Sequence, residues 1–181
     1  FVDDLKYRVK GIKENASNIG TNMHSLCEDY ITGKNPVEPT TEPLKTMFDK
    51  FKKFWKKRNF EIVETEKTYY SDELDVCGTL DVLVKRKGKV GILDFKTSKD
   101  FYPDMPVQIH TYKKLVEDST KHKIEFLAVI NIPKEPVKDV SIRFFDIKPR
   151  YLKAFKACKY LNTVEEDFKK RNEEYNKLRN K

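Results

Sequence analysis

The chain has 181 residues, of which 36% are charged, and it carries a net charge of +8 with a pI near 9.2. This length suits one domain with a sizeable core, and no Pro/Gly/Ser linker divides it, so we predict a single domain over residues 1–181. The chain begins at Phe1 rather than Met, which is compatible with a piece of a longer protein. The positive charge favours a polyanionic partner, although a plain solvated surface can carry the same excess.

Cysteine usage and hydropathy restrict the class of protein further. Cys27, Cys77 and Cys158 are odd in number and widely spaced, which is typical of reduced thiols and excludes a disulfide framework. No apolar run approaches the ~20 residues of a membrane span, and no signal-peptide pattern opens the chain. We therefore expect an intracellular protein that does not contact a membrane.

The first part of the chain predicts helices. Charged and apolar residues alternate at helical spacing over 2–30, with an interruption at 15–20 that predicts two short helices. A Pro-rich loop at 36–43 precedes an amphipathic helix over 44–57. Its lysine-rich stretch, 50–58, interleaves Phe and Trp with cations. Two interpretations stay open: aromatic residues that face a core, or a stripe that binds nucleic acid.

The rest of the chain alternates strands and helices. Asp104 is a candidate N-cap for a helix through residue 118, with Pro106 tolerated in the first turn. From Pro149 onward, apolar residues recur at steps of three or four through Phe168, which predicts a long closing helix. The strand-like segments, rich in β-branched and aromatic residues, are 60–70, 75–86, 89–97, 123–132 and 140–147. The order predicts an α/β (α+β) fold with a central mixed sheet flanked by helices.

The second and third predicted strands form a hairpin that brings charged residues together. If the chain turns at 87–88, counting outward places Asp81 opposite Asp94, and strand alternation adds Lys96 to the same face. Facing carboxylates are unfavourable unless the register is broken or a cation lies between them. The alternative is structural: Asp81 ends a turn, and Asp94 and Lys96 form an ion pair near a strand end. One bulge would destroy the predicted pairing.

Four motifs now occur in order. "GTLDVLV" (78–84), "ILDFKTSK" (92–99) and "QIHTY" (108–112) resemble the GxxD, DxK and QxxxY motifs of RecB-like nucleases in the PD-(D/E)xK superfamily. Upstream, "GTNMHSLCEDYITGK" (20–34) resembles the Gly-Thr-x-x-His-x-x-x-Glu helix of the same family. The resemblance implies a restriction-endonuclease-like core of αβββαβ order.

By this resemblance, Asp81 and Asp94 are ligands of Mg²⁺ or Mn²⁺, and the backbone carbonyl of Phe95 completes the set. His24 matches the histidine that supplies a further ligand; its alternative is an ordinary core or helix-surface histidine. Lys96 assists the attacking water. Hard cations prefer such oxygen ligands, and phosphodiester hydrolysis needs a polarised phosphoryl group.

Other residues are expected to support this site. Glu28 lies one helical turn beyond His24. Glu64 and Glu66 both precede the GxxD strand, and we prefer Glu66. Gln108 and Tyr112 share a helix face and, by resemblance, contact the DNA backbone or brace the lysine. Solvated polar side chains are the alternative for each of them.

The implied function is a divalent-metal-dependent deoxyribonuclease, an exonuclease or a single-strand-preferring processing enzyme of DNA replication, repair or recombination. Its expected partner is DNA, as single strands or duplex ends, and its expected location is the cytoplasm or another DNA-containing compartment. Two alternatives stay open: a nuclease-fold module that binds DNA without cutting it, and a nuclease directed to RNA or to junctions. Three scattered cysteines cannot hold the four-cysteine iron-sulfur cluster of some relatives, so no cluster is expected.

Overall fold

A computed structural model describes the backbone of residues 2–179 and the side chains of residues 17–179. The single-domain prediction for 1–181 therefore extends slightly beyond the described residues. Four helices and five strands follow one another in the order α1 (Val2–Ile31), α2 (Leu44–Trp55), β1 (Glu61–Ser71), β2 (Val76–Arg86), β3 (Lys89–Lys96), α3 (Asp104–Ser119), β4 (Phe126–Asn131), β5 (Ser141–Phe145) and α4 (Pro149–Arg179).

The five strands form one mixed sheet in the order β1-β2-β3-β4-β5. Neighbouring strands are antiparallel except β3 and β4, which run parallel. A parallel pair requires a crossover, and α3 supplies it. The predicted mixed sheet flanked by helices is confirmed. No helix among the described residues is long and apolar enough to cross a bilayer.

Each face of the sheet carries its own core. The first core lies between the sheet and the helices α1 and α2, and the second lies between the sheet and α3. On β3, Leu93 and Phe95 point into the first core and Ile92 into the second, as strand alternation requires. Burial on both faces makes β3 the central strand, which explains the unbroken apolar stretch before Asp94.

The predicted break in the first helical segment is wrong, because α1 runs without interruption from Val2 to Ile31. Gly20, which suggested the break, packs against the loop that follows β3. A β-carbon at this position would lie 3.2 Å from Thr97 Oγ1. The glycine therefore lets the helix approach the loop closely, and it does not end the helix.

The inward orientation of the α2 aromatic residues is confirmed. Phe48 and Phe51 are fully buried in the first core, and Trp55 is partly buried against it. Lys50, which is partly buried, donates to the carbonyls of Pro136 and Lys138, each at 2.6 Å, whereas Lys53, Lys56 and Lys57 are exposed. The amphipathic interpretation of the helix therefore holds for these residues.

The predicted N-cap of α3 is wrong. Pro103 occupies the cap position, and Asp104 is the first helical residue, with no side-chain hydrogen bond that caps the helix. A carboxylate in the first turn still interacts favourably with the helix dipole. Pro106 lies in the same turn, where its missing N–H removes no helical hydrogen bond.

The closing helix α4 forms as predicted but packs only at its beginning. Leu152 and Phe155 contact the second core, whereas Leu161 and Phe168 are 61% and 64% exposed. None of the described α4 side chains is fully buried. The apolar spacing therefore predicted the helix correctly, but the burial it suggested does not extend beyond the first turns.

Candidate active site

The site lies where β2 separates from β3. The hairpin register is the predicted one, from the pair Arg86–Lys89 to the pair Val82–Leu93, where the ladder ends. Residues 94–96 continue to pair with β4 on their other side. We call this opening the fork: the space between residues 78–81 of β2 and residues 94–96 of β3.

Asp81 occupies the first position beyond the ladder. The predicted pair with Asp94 is therefore one step past the last paired residues, and the side chain of Asp81 bridges the fork instead. Its Oδ2 accepts a hydrogen bond of 2.6 Å from the Phe95 amide, and its Oδ1 lies 3.3 Å from His24 Nδ1. The carboxylate thus satisfies a backbone donor that the departing strand leaves unpaired.

Asp94 and Lys96 lie together on the side of β3 that faces α3. Lys96 Nζ is 2.7 Å from Asp94 Oδ2, and Asp94 is only 3% exposed. Oδ2 is buried, and the Lys96 ammonium is its ion-pair partner. Burial and the nearby Asp81 charge raise the pKa of Asp94 to about 6, against the opposing effect of Lys96.

His24 lies on α1, at an open cleft of about 450 Å³ that Asp81 also lines. Burial lowers the pKa of His24, but the hydrogen bond with Asp81 and the charges of Asp81 and Asp94 outweigh it, so the pKa is raised overall. The imidazolium form therefore persists to higher pH than in a solvated histidine. The predicted placement of His24 beside the carboxylates agrees with the structure.

Glu28 and Glu66 line the same cleft. Glu28 accepts a weak hydrogen bond from Thr65 Oγ1 at 3.4 Å and lies 3.7 Å from Lys34 Nζ. Burial, followed by the charges of Asp81 and Glu28, raises the pKa of Glu66. Three carboxylates, those of Asp81, Glu28 and Glu66, thus line one cleft and make its potential negative.

The local backbone distinguishes Glu66 from Glu64. Glu66 lies opposite Asp81, between the pairs Thr65–Val82 and Lys67–Leu80, and has the left-handed φ of 45°. A positive φ is uncommon for glutamate and costs on the order of 1 kcal/mol or more. Glu64 is held elsewhere by Lys67 and Tyr69. The preference for Glu66 is therefore supported by its position.

The same irregularity turns β2 over at Asp81. Leu80 packs in the second core and Val82 in the first, although residues two apart on a regular strand share a face. Both strands change face at this point, which releases Asp81 from either core. The sequence contains no Gly or Pro at 80–82 that could have indicated this change.

Gln108 and Tyr112 line a separate cleft of about 610 Å³ on the α3 side. Gln108 Nε2 donates to Tyr112 Oη at 2.9 Å. Burial and the Asp94 charge raise the pKa of Tyr112, so its hydroxyl keeps a proton to donate. A β-carbon on Gly78 would lie 2.9 Å from Tyr112 Cε1. Glycine at the first position of the GxxD motif therefore makes room for the tyrosine.

The Phe95 backbone faces the fork. Its amide points toward Asp81, whereas the Lys96 carbonyl accepts from Ile132 N on the opposite side, at 2.7 Å. The amide and carbonyl of one strand residue point to the same edge. The Phe95 carbonyl is therefore directed into the fork, where the resemblance expects a metal ligand.

The donor set suits a hard divalent cation. It combines two carboxylates and a backbone carbonyl with one imidazole, and hard cations prefer such oxygen ligands. No three His, Cys, Asp or Glu side chains within residues 17–179 are already arranged around a common point. Asp81 is held by His24 and the Phe95 amide, and Asp94 by Lys96, so a cation would replace some of these contacts.

Three further residues line the cleft of His24: Gly20 and Thr21, which belong to the quoted motif without an assigned role, and Ser25, which no motif singles out. Thr21 lies three residues before His24, so helical spacing places it on the same face of α1, whereas Ser25 is the next residue and carries no such signal. Small and hydroxyl side chains leave the cleft open beside the histidine.

No protein-family model matches the chain, and the search of curated proteins gives no match.

Proposed function

We propose that the protein is a divalent-metal-dependent deoxyribonuclease with a restriction-endonuclease-like core. The single observation that carries the proposal is the arrangement at the fork. Asp81, Asp94 and Lys96 converge where β2 leaves β3, and the buried Asp94 lies close enough to Asp81 for the two charges to repel. If Asp94 and Lys96 formed only a structural ion pair, Asp81 would not be needed beside them, because its charge repels that of Asp94.

The residues that would hold Mg²⁺ or Mn²⁺ are Asp81, Asp94 and His24, together with the Phe95 carbonyl. When bound, the cation would neutralise the carboxylates, polarise the phosphoryl group and lower the pKa of water. Glu28 and Glu66 add negative charge to the same cleft. A phosphate would be repelled by this unneutralised cleft, which is the physical reason to expect metal dependence.

The remaining groups act on water and substrate. Lys96, released from Asp94, donates a hydrogen bond to the attacking water or to a non-bridging phosphate oxygen and offsets its developing charge. Water attacks phosphorus and releases a proton to the solvent, the ester P–O bond breaks, and the leaving oxygen takes up a proton from the solvent. Tyr112, supported by Gln108, offers a hydroxyl donor on the α3 side, where it contacts the DNA backbone or limits the movement of Lys96.

The test uses end-labelled single-stranded DNA, duplex DNA, a four-way junction and RNA, each incubated with Mg²⁺, Mn²⁺ or chelator. We expect shortened DNA products with metal and none with chelator. Asp81→Asn should abolish them. A protein that binds the DNA but leaves it uncut under every condition would be a binding module, and products from RNA or junctions alone would redirect the substrate assignment.

A further inference from the structure

Two lysine-rich stretches that are far apart in the sequence lie at one end of the sheet. One is the C-terminal part of α2 and its continuation to residue 58, and the other is the β2–β3 turn. Trp55 and Phe60 join them, with ring centres 5.5 Å apart. The Arg86 guanidinium lies 5.6 Å from the Phe60 ring and 5.8 Å from the Phe144 ring. These contacts fix the turn beside the end of α2.

We call the resulting surface the basic pole. Of the residues that form the basic pole, Arg86 is partly exposed and the others are exposed. Within residues 17–179, no member forms an ion pair or a side-chain hydrogen bond, unlike Lys50 and Lys52 of the same helix. Its eight cations are Lys53, Lys56, Lys57, Arg58, Lys85, Arg86, Lys87 and Lys89.

Few acidic residues compensate this charge. Glu61 lies opposite Lys85 in the ladder, Asp139 is 3.6 Å from Lys50, and Glu125 lies beside the turn through its bond to Val90. The cations exceed these bordering carboxylates more than twofold. An ordinary solvated surface interleaves both signs, so this concentration of one sign indicates a polyanionic partner.

We propose that the basic pole binds the sugar–phosphate backbone of DNA, at a distance from the fork. This inference rests on the proposed function for the choice of DNA. Lys85 and Asp81 are four residues apart on β2, which corresponds to roughly 13 Å. That span covers about four phosphates of one strand. A DNA strand that is cut at the fork can therefore contact the basic pole a few nucleotides away from the cut.

The chemistry of the pole favours backbone contact without sequence readout. Its lysines present compact charges that suit phosphates. Its aromatic residues are unsuited to stacking on bases, because Phe60 is partly buried and covered by Arg86. The same cover disfavours insertion into a lipid surface, which requires free apolar side chains.

The experiment compares two variants with the same change in net charge. The pole variant carries K53Q, K57Q, K87Q and K89Q. The control carries K153Q, K169Q, K170Q and K177Q, which lie on α4, are exposed and have no side-chain partner among the described residues. Binding of a fluorescent single-stranded 20-mer is measured in chelator by polarisation, from 50 to 200 mM KCl. Thermal melts check that both variants are folded.

We expect the pole variant to bind roughly tenfold or more weakly than wild type at 100 mM KCl, and its salt slope to fall by roughly 3 units. The control should bind like wild type. Equal losses of DNA affinity in both variants, or no loss in either, would contradict the proposal that the pole binds DNA. So would tenfold tighter binding to RNA of the same sequence, or a loss of affinity for phosphatidylserine vesicles with DNA affinity unchanged.

These outcomes are separable from the fate of the proposed activity. A wild-type protein that binds DNA through the pole yet cuts nothing would overturn the nuclease and support the pole. A protein that cuts DNA while both variants bind alike would overturn the pole alone.

Discussion

The two ends of the β2–β3 hairpin handle charge in opposite ways. At the fork, Asp94 is buried and paired with Lys96, and Asp81 is held by His24 and a backbone amide. At the basic pole, the cations other than the partly exposed Arg86 are exposed, and none of the eight forms an ion pair within the described part of the chain. The effect of a buried charge at the fork depends on its position relative to its partners, whereas the effect of the exposed charges at the pole depends on how many there are. Single substitutions should therefore have large effects at the fork and small ones at the pole.

The largest effect is expected for Lys96→Ala. We expect cleavage to fall on the order of 10²–10³-fold, because a donor that faces the developing charge is lost. Metal binding should persist, since the lysine acts on water and phosphate. Nuclease assays and Mn²⁺ titration calorimetry measure the two properties. Lys99→Ala, an exposed neighbour, is the matched control, and near-native cleavage by Lys96→Ala would remove the proposed role.

The next effect concerns metal-linked stability in Asp94→Asn. Mn²⁺ at a hundred times its dissociation constant should stabilise the wild type by roughly 2.7 kcal/mol if it binds only the folded state. The variant should be inactive and gain much less. In chelator it should be as stable as wild type or slightly more stable, because it removes a buried charge beside Asp81. Thermal melts with and without Mn²⁺ provide the measurement.

The same variant tests a pH dependence. The folded pKa of Asp94, about 6, exceeds its ordinary value of 3.8, so the folded state binds this proton more tightly than the unfolded state. The wild type should therefore lose stability as pH rises through this range, and Asp94→Asn should lack that loss. A variant that is destabilised in chelator yet keeps the full Mn²⁺ shift would show that Asp94 is a structural partner only.

A smaller effect is expected for Gly78→Ala at the edge of the fork. The added β-carbon would contact Tyr112 Cε1 at 2.9 Å and Leu115 Cδ1 at 3.1 Å, so the tyrosine must move. Overpacking of this kind costs about 1–3 kcal/mol. We expect lower cleavage and a lower melting temperature, whereas the exposed neighbour Cys77→Ala should change neither. Unchanged cleavage by the Gly78→Ala variant would show that the position of Tyr112 does not matter for catalysis.

The smallest effect is expected at the pole, for the single substitution Lys87→Gln. Losing one phosphate contact should lower the salt slope for single-stranded DNA by about 0.7 units or less. Cleavage at low salt should stay near that of wild type. Polarisation titrations across salt, beside Lys96→Ala as reference, measure the contrast. A loss of cleavage comparable with that of Lys96→Ala would contradict the expectation that single substitutions have small effects at the pole.

The sequence predicted those parts of the fold that depend on local patterns. Alternation and turn residues located the five strands and the hairpin register, and helical spacing brought His24 and Glu28 to one face. These features can be predicted from short stretches of sequence, because the spacing of apolar residues and the position of a turn are local properties. The nuclease assignment stays a proposal that rests on motif resemblance and on the arrangement of these residues.

Other features depend on contacts between distant segments and could not be read locally. The role of Gly20 is set by Thr97, which lies 77 residues later, so the local pattern at 15–20 predicts a helix break that the structure does not have. The end of the ladder at Val82 depends on how β2 leaves a strand that also pairs with β4. The exposure of Leu161 and Phe168 depends on where the rest of the molecule ends, which spacing alone does not report.

The fork also has a consequence for the order of folding. The meander β1–β2–β3 joins neighbouring segments and can form early, since short loops close quickly. The candidate site needs His24 from α1 and Tyr112 from α3, and β3 acquires its second partner only when the parallel strand β4 arrives. Parallel pairing across a long connection is slow. A chain in which only the meander has formed therefore lacks the assembled candidate site, whose residues come together only after α1, α3 and β4 have joined the meander.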